Sequence, residues 1–71
     1  MDDYFQKVDN NLEIISFKLV KFLSKECNYK EWIRPSKLDK EIIILIEEKL
    51  NIKIIETKFD VKNQKITFVL G

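Results

Sequence analysis

Ile52-Lys53-Ile54-Ile55-Glu56-Thr57-Lys58-Phe59-Asp60, then Val61-Lys62-Asn63-Gln64, then Lys65-Ile66-Thr67-Phe68-Val69-Leu70 is the stretch that decides the fold. Both outer runs are rich in Ile, Thr, Phe and Val, side chains that fit a pleated, half-buried surface. The four residues between them read as a turn, with Asn63 able to take positive φ. A turn centred on Lys62–Asn63 sets Phe59 against Ile66, Thr57 against Phe68 and Ile55 against Leu70. Asp60 then faces Lys65 on the other side, an opposite-charge pair worth a few tenths of a kcal/mol up to ~1. A one-residue slip would set Phe59 against Lys65, so the register is specified.

Upstream, residues 37–50 read as a helix. Ser36 is the N-cap and Asp39 the N3 residue of a shortened capping box. Leu38, Ile42, Leu45, Ile46 and Leu50 form one face, Ile43 broadens it, and Ile44 points away. Asn51 suits a left-handed C-terminal position. Residues 27–36 form the connection. Pro35 biases Arg34 away from the helical region, and Trp32 and Ile33 tuck against the core.

The first segment also reads as a helix. Phe5, Val8, Leu12, Ile15, Leu19 and Phe22 are spaced three, four, three, four, three, and Leu23 widens the stripe. Early Asp residues and the late Lys18, Lys21 and Lys25 match the helix dipole. The helix ends near Glu26–Asn28. Asn10–Asn11 offers a second start, capped by Asp9 or Asn10, which leaves residues 3–8 as a shorter preceding turn; fraying is expected within residues 1–8. The expected class is α+β: a single domain over 1–71, two helices followed by a C-terminal antiparallel hairpin. A lone two-stranded sheet is marginal, so completion by dimerisation to four strands belongs to the expectation.

Composition bounds the rest. The chain has 71 residues, 45% hydrophobic and 35% charged, a globular balance for one domain. Ordering a chain this short consumes most of what burial returns, so a partner chain is the expected staple. Cys27 is the only Cys and there is no His. That leaves no internal disulfide, and no zinc or iron ligand set. The expectation is no metal and no cofactor. Net charge is +1, so nothing global draws the chain to nucleic acid or to an anionic membrane. The start Met1-Asp2-Asp3 is acidic where a signal peptide is basic, and the longest apolar run is Ile42–Ile46, far short of a span. The compartment expected is the cytoplasm. The lack of Ala beside abundant Lys, Ile and Asn resembles AT-rich coding, a pattern associated with phages and mobile elements.

Catalysis needs positioned acids, bases, nucleophiles or metals. Cys27 has Lys25 and Lys30 nearby but no base, so it reads as a tolerated thiol. Glu47 and Glu48 diverge by about 100° on a helix and do not converge on one atom. Gly71, the only Gly, cannot form a phosphate-binding loop. The expectation is no catalytic residue and no enzyme.

Two features remain. Lys18, Lys21, Lys25, Lys30, Arg34 and Lys37 are offset only by Glu26 and Glu31, a local net charge of +4, with Tyr29 and Trp32 among them. Basic residues interleaved with aromatics hold phosphates and stack bases. The element order resembles the later part of a winged helix-turn-helix, with the wing tip at Val61–Gln64. No motif residue accompanies that resemblance, and Glu41, Glu47 and Glu48 on the candidate recognition helix would repel phosphate. The second feature is apolar residues on the wrong faces: Ile14 and Phe17 on the first helix, Ile44 on the second, Ile54 and Val69 on the hairpin. These five mark an expected protein interface, to another protein or in a homodimer. The leading reading is thus a non-catalytic interaction module, such as an inhibitor, antitoxin-like regulator or accessory subunit. The second is a winged-helix-like DNA- or RNA-binding regulator using Lys30, Arg34, Lys37, Lys58 and Lys62.

Overall fold

The computed structural model describes residues 4–31, 33 and 37–71. Six elements follow in order: β1 (Gln6–Val8), β2 (Asn11–Ile15), α1 (Ser16–Glu26), α2 (Lys40–Leu50), β3 (Ile54–Asp60) and β4 (Lys65–Leu70). The class is α+β as expected, but the sheet has four strands in the order β1-β2-β4-β3. Every neighbouring pair is antiparallel.

The correction lies in residues 5–15, which form a hairpin where a helix was expected. Asp9 takes φ 55° at its turn, a conformation that Asp and Asn tolerate better than most side chains. Asn10 then ties the turn to the end of β4. Its Nδ2 donates to the Leu70 carbonyl at 2.7 Å, and the Leu70 N–H donates to the Asn10 carbonyl at 3.0 Å. The apolar spacing misleads because residues of both periods coincide here. Leu12 and Ile14 alternate onto the core side of β2, whereas Val8 and Ile15, two members of the supposed stripe, are exposed. The sheet is therefore completed within one chain, without a dimer partner.

The C-terminal hairpin follows the expected register from its turn as far as Thr57. Asp60 pairs with Lys65, Phe59 with Ile66 and Thr57 with Phe68. The ladder then shifts: Glu56 pairs with Val69 and Ile54 with Leu70, leaving Ile55 as the extra residue of a bulge. A bulge exchanges faces locally. Ile54 consequently packs on the core and Ile55 is 62% exposed, the reverse of the expectation. In the turn it is Gln64 that takes positive φ, at 52°. Asn63 instead donates to Asp60 through its N–H at 3.2 Å and its Nδ2 at 2.8 Å.

Both helices end as their sequences suggest. Asn28 and Asn51 are left-handed at φ 54° and 56°, and the Tyr29 N–H reaches back to the Leu23 carbonyl at 2.8 Å. At its start α1 lacks a capping side chain. Ser16 donates both its N–H, at 2.8 Å, and its hydroxyl, at 2.9 Å, to the Gln64 carbonyl. The helix start is thereby moored to the β3–β4 turn. The start of α2 is later than expected. Asp39 is its N-cap residue, without a side-chain bond; Ser36, the expected cap, and Trp32 lie outside the described residues.

The two helices share a core with one face of the sheet. Ile14 from β2 and Ile66 and Phe68 from β4 meet Leu19, Phe22 and Leu23 of α1 and Ile42 and Ile46 of α2. The register puts Gln6, Glu13, Thr67 and Lys58 in one row on the opposite face.

Candidate nucleic-acid interface

The site grows out of a length mismatch at the edge of the sheet. β2 has five residues and β1 three, so β1 pairs only with Asn11–Glu13. Ile14 and Ile15 have a strand neighbour on the β4 side alone. Ahead of β1 the chain turns toward the helical layer. The ring of Tyr4 meets Phe22 edge-on at 5.5 Å. Phe5 meets Phe22 at 5.0 Å and Phe68 at 6.3 Å. Those contacts hold residues 4 and 5 off the strand line, and a cleft of about 370 Å³ opens between them and the end of β2. Tyr4, Phe5 and Gln6 form one wall; Glu13, Ile14 and Ile15 follow, and Lys18 and Lys65 complete the lining.

Among the described residues, the lysines of this cleft are only partly compensated. Lys65 Nζ stands 3.4 Å from Glu13 Oε1, with the two side chains 41% and 24% exposed. A contact that long and that solvated holds little energy. An ammonium has three donors, so Lys65 keeps capacity for another acceptor. Lys18, half-buried in the first turn of α1, has no carboxylate within ion-pair distance among the described residues. Beyond the cleft the outer face of α1 continues with Phe17, Val20, Lys21 and Lys25, all exposed. Lys21 Nζ lies 5.7 Å from the centre of the Phe17 ring, a cation–π contact. No acidic residue appears on α1 before Glu26.

The residues expected at an interface do not form one surface. Ile14 is buried at 2% because it belongs to β2, and this removes it from any contact. Ile54 packs on the core through the bulge. Val69 is half-buried on the face of the sheet away from the helices that carry Phe17 and Ile44. Phe17 and Ile44 are exposed at 56% and 44%. The expected nucleic-acid set is similarly scattered. Lys30 and Lys37 are exposed beside the connection, Lys58 is exposed on β3 and Lys62 in the turn, while Arg34 lies outside the described residues. The winged-helix arrangement also fails. A hairpin, β1–β2, precedes the helices, and β3–β4 are joined to it in one four-stranded sheet.

The sequence reading missed the grouping of Glu13, Lys18 and Lys65. Its signal was the Asp9-Asn10 turn pair, which makes residues 11–15 alternate and sends Glu13 and Ile14 to opposite faces. Of the adjacent carboxylates on α2, Glu47 accepts the Ile54 N–H at 2.9 Å and so joins α2 to β3. Cys27 sits half-buried at a second cleft of about 260 Å³ with Glu26, Leu45, Glu48 and Lys49. Burial raises its pKa above the ordinary thiol value; Lys49 opposes that and Glu26 adds to it. Among the described residues no three His, Cys, Asp or Glu side chains stand close enough to hold a metal ion. No described helix is long and apolar enough to cross a membrane.

Comparison with known proteins supplies a different kind of observation. One curated protein, "Endoribonuclease YbeY" of Buchnera aphidicola subsp. Baizongia pistaciae (strain Bp), is 38% identical over 71 residues. The chain is similar to part of an enzyme. The match takes in 93% of this chain and 45% of that protein, so the chain spans about half the length of the curated relative it matches. No family model matches, and no solved structure matches. The likeness overturns the expectation of a non-catalytic module, inhibitor or regulator, whether for protein or for DNA. That expectation rests on the absence, within this chain, of His, of a usable Gly loop and of converging carboxylates. Such absence says nothing about an activity whose bearer has more than twice this length.

Proposed function

We propose that this chain acts on RNA, as part of an endoribonuclease. The likeness to a protein of that name over nearly the whole chain carries the reading. The charge distribution around β2 and α1 supports it. An endoribonuclease must hold a strand on both sides of the bond it cuts. Single strands are held by cations spaced along the backbone and by aromatic rings beneath the bases. Lys18, Lys21 and Lys25 run along α1, Lys65 stands beside them across the cleft, and Phe17 lies exposed under Lys21. Breaking a phosphodiester builds negative charge on the phosphate oxygens, and fixed cations lower that cost. Lys18 and Lys65 both line the cleft of about 370 Å³. A cytoplasmic location is consistent with that role.

Binding of a fluorescent single-stranded RNA at several salt concentrations tests this reading. With three to four lysines on phosphates, the logarithm of the affinity should fall against the logarithm of salt with a slope of about −2 to −3. Lys21→Ala should flatten that slope by about 0.7. Absence of RNA binding at low salt, or binding that ignores salt, sinks the reading.

A further inference from the structure

We propose that the cleft between Tyr4–Gln6 and the end of β2 is a pocket for one ribonucleotide, with Lys18 and Lys65 on the phosphate and Glu13 on the ribose hydroxyls. This rests on the RNA reading above and names the part of the strand that the cleft takes.

Three observations combine. The first is size and origin. Its volume of about 370 Å³ is in the range of small-molecule sites. It exists because β1 stops short of β2 while Tyr4 and Phe5 are pinned on Phe22. A pocket held open by three packed rings is preformed, and preformed sites bind at less entropic cost. The second is the charge order. Two lysines and one glutamate line the same cavity, and the glutamate carboxylate is bonded only loosely to one of the ammoniums, that of Lys65, at 3.4 Å. A site for phosphate alone would gain by lacking Glu13, because a carboxylate repels an anion. A carboxylate accepts hydrogen bonds and donates none. A ligand that suits the trio therefore carries an anionic group and, a few ångströms away, hydroxyl donors. A nucleotide of RNA has that pattern, and the 2′-hydroxyl is what separates it from DNA. The third is the apolar wall. Phe5 and Tyr4 beside the exposed Ile15 offer a surface for the face or edge of a base.

Glu13 accordingly has a stated role: it selects ribose at some expense in phosphate affinity. A merely structural ion pair predicts the opposite sign. If Glu13 served only to position Lys65, its removal would weaken phosphate binding.

The test is an amide-shift titration of the isotope-labelled protein with adenosine 5′-monophosphate, its 2′-deoxy form and inorganic phosphate. The ribonucleotide should move the amides of Phe5, Gln6, Glu13, Ile14, Lys18 and Lys65. It should bind about tenfold tighter than the deoxy form, the scale of one charge-assisted hydrogen bond. Lys18→Ala and Lys65→Ala should each weaken it by about tenfold, and Lys65→Arg should retain most of the affinity. Glu13→Ala should abolish the ribose preference while leaving phosphate affinity equal or stronger. Shifts that cluster away from the cleft overturn the proposal, as does equal binding of the ribo and deoxy forms. Unchanged peaks outside the cleft verify that each variant is folded. The two readings also separate. If RNA strands bind with steep salt dependence while mononucleotides leave the cleft unmoved, the pocket is wrong and the RNA reading stands. If the ribonucleotide seats in the cleft but no RNA strand binds, the pocket stands and the RNA reading falls.

Discussion

Glu13, Asp60 and Cys27 show how far a single side chain's meaning depends on its neighbours. Asp60 was expected to pair with Lys65 across the hairpin, and the two are register partners. Its hydrogen bonds, however, go to the side chain and N–H of Asn63, and these hold its carboxyl below the ordinary aspartate value of 3.8. Lys65 contributes less to that lowering. A carboxyl depressed in the folded state stabilises above its unfolded pKa and loses that contribution as pH falls through the folded value. The thermal midpoint should therefore drop as pH falls below about 3.8, and the drop should shrink in Asp60→Asn. An equal drop in the variant would remove Asp60 from the account of the turn. At Cys27 the raised pKa leaves the thiol protonated at neutral pH. Its reaction with a disulfide reagent at pH 7 should be slower than that of free cysteine, because the thiolate is the nucleophile. A rate above that of free cysteine would contradict the burial described. The sequence shows that Cys27 lacks a basic partner such as His. It does not show burial, which is a property of how α1 and α2 approach each other.

Among the elements, α2 and the C-terminal hairpin were legible and the first hairpin was not. The pairing of Phe59 with Ile66 and Thr57 with Phe68 follows from local alternation, because a slip exposes every apolar residue of the strand at once. The bulge at Ile55 was hidden, since two adjacent isoleucines serve equally well at the inward position. Residues 5–22 carried a helical stripe whose members, by coincidence, also fit a strand pair and a following helix. Only the Asp9-Asn10 pair argues otherwise, and the same two residues also suit a helix cap. The consequence for the candidate site is direct: Glu13 and Lys65 become neighbours only when β2 lies beside β4. Two substitutions decide between the readings. Ile14→Ala should cost about 2–4 kcal/mol, because the side chain is buried at 2% between β2 and the helices. Phe17→Ala, at 56% exposure, should stay within about 0.5 kcal/mol. Urea midpoints measure both. Had residues 5–23 formed one helix, both positions would lie off its apolar stripe and both changes would be mild.

At the scale of the whole molecule, the sheet organises both stability and site. β4 is bonded on both sides and sits over the core, while β1 is a three-residue edge whose residues are all exposed. Hydrogen exchange should be slowest for Ile66 and Phe68 and fastest along Gln6–Val8. Equal protection of β1 and β4 would contradict the strand order. A weakly protected edge is also where the cleft opens, so the wall made by Tyr4 and Phe5 rests on its ring contacts with α1 and β4 more than on the ladder. Function was the least legible level. The lysines were visible in the sequence, but the ones that meet around a cavity come from α1 and β4, separated by most of the chain. We propose that the chain acts on RNA as part of an endoribonuclease. The protein expressed from its own gene and incubated with end-labelled single-stranded RNA tests it most directly. Internal cuts, suppressed by Lys18→Ala combined with Lys65→Ala, are the result predicted. RNA recovered intact, or cuts unaffected by the paired substitution, would contradict it.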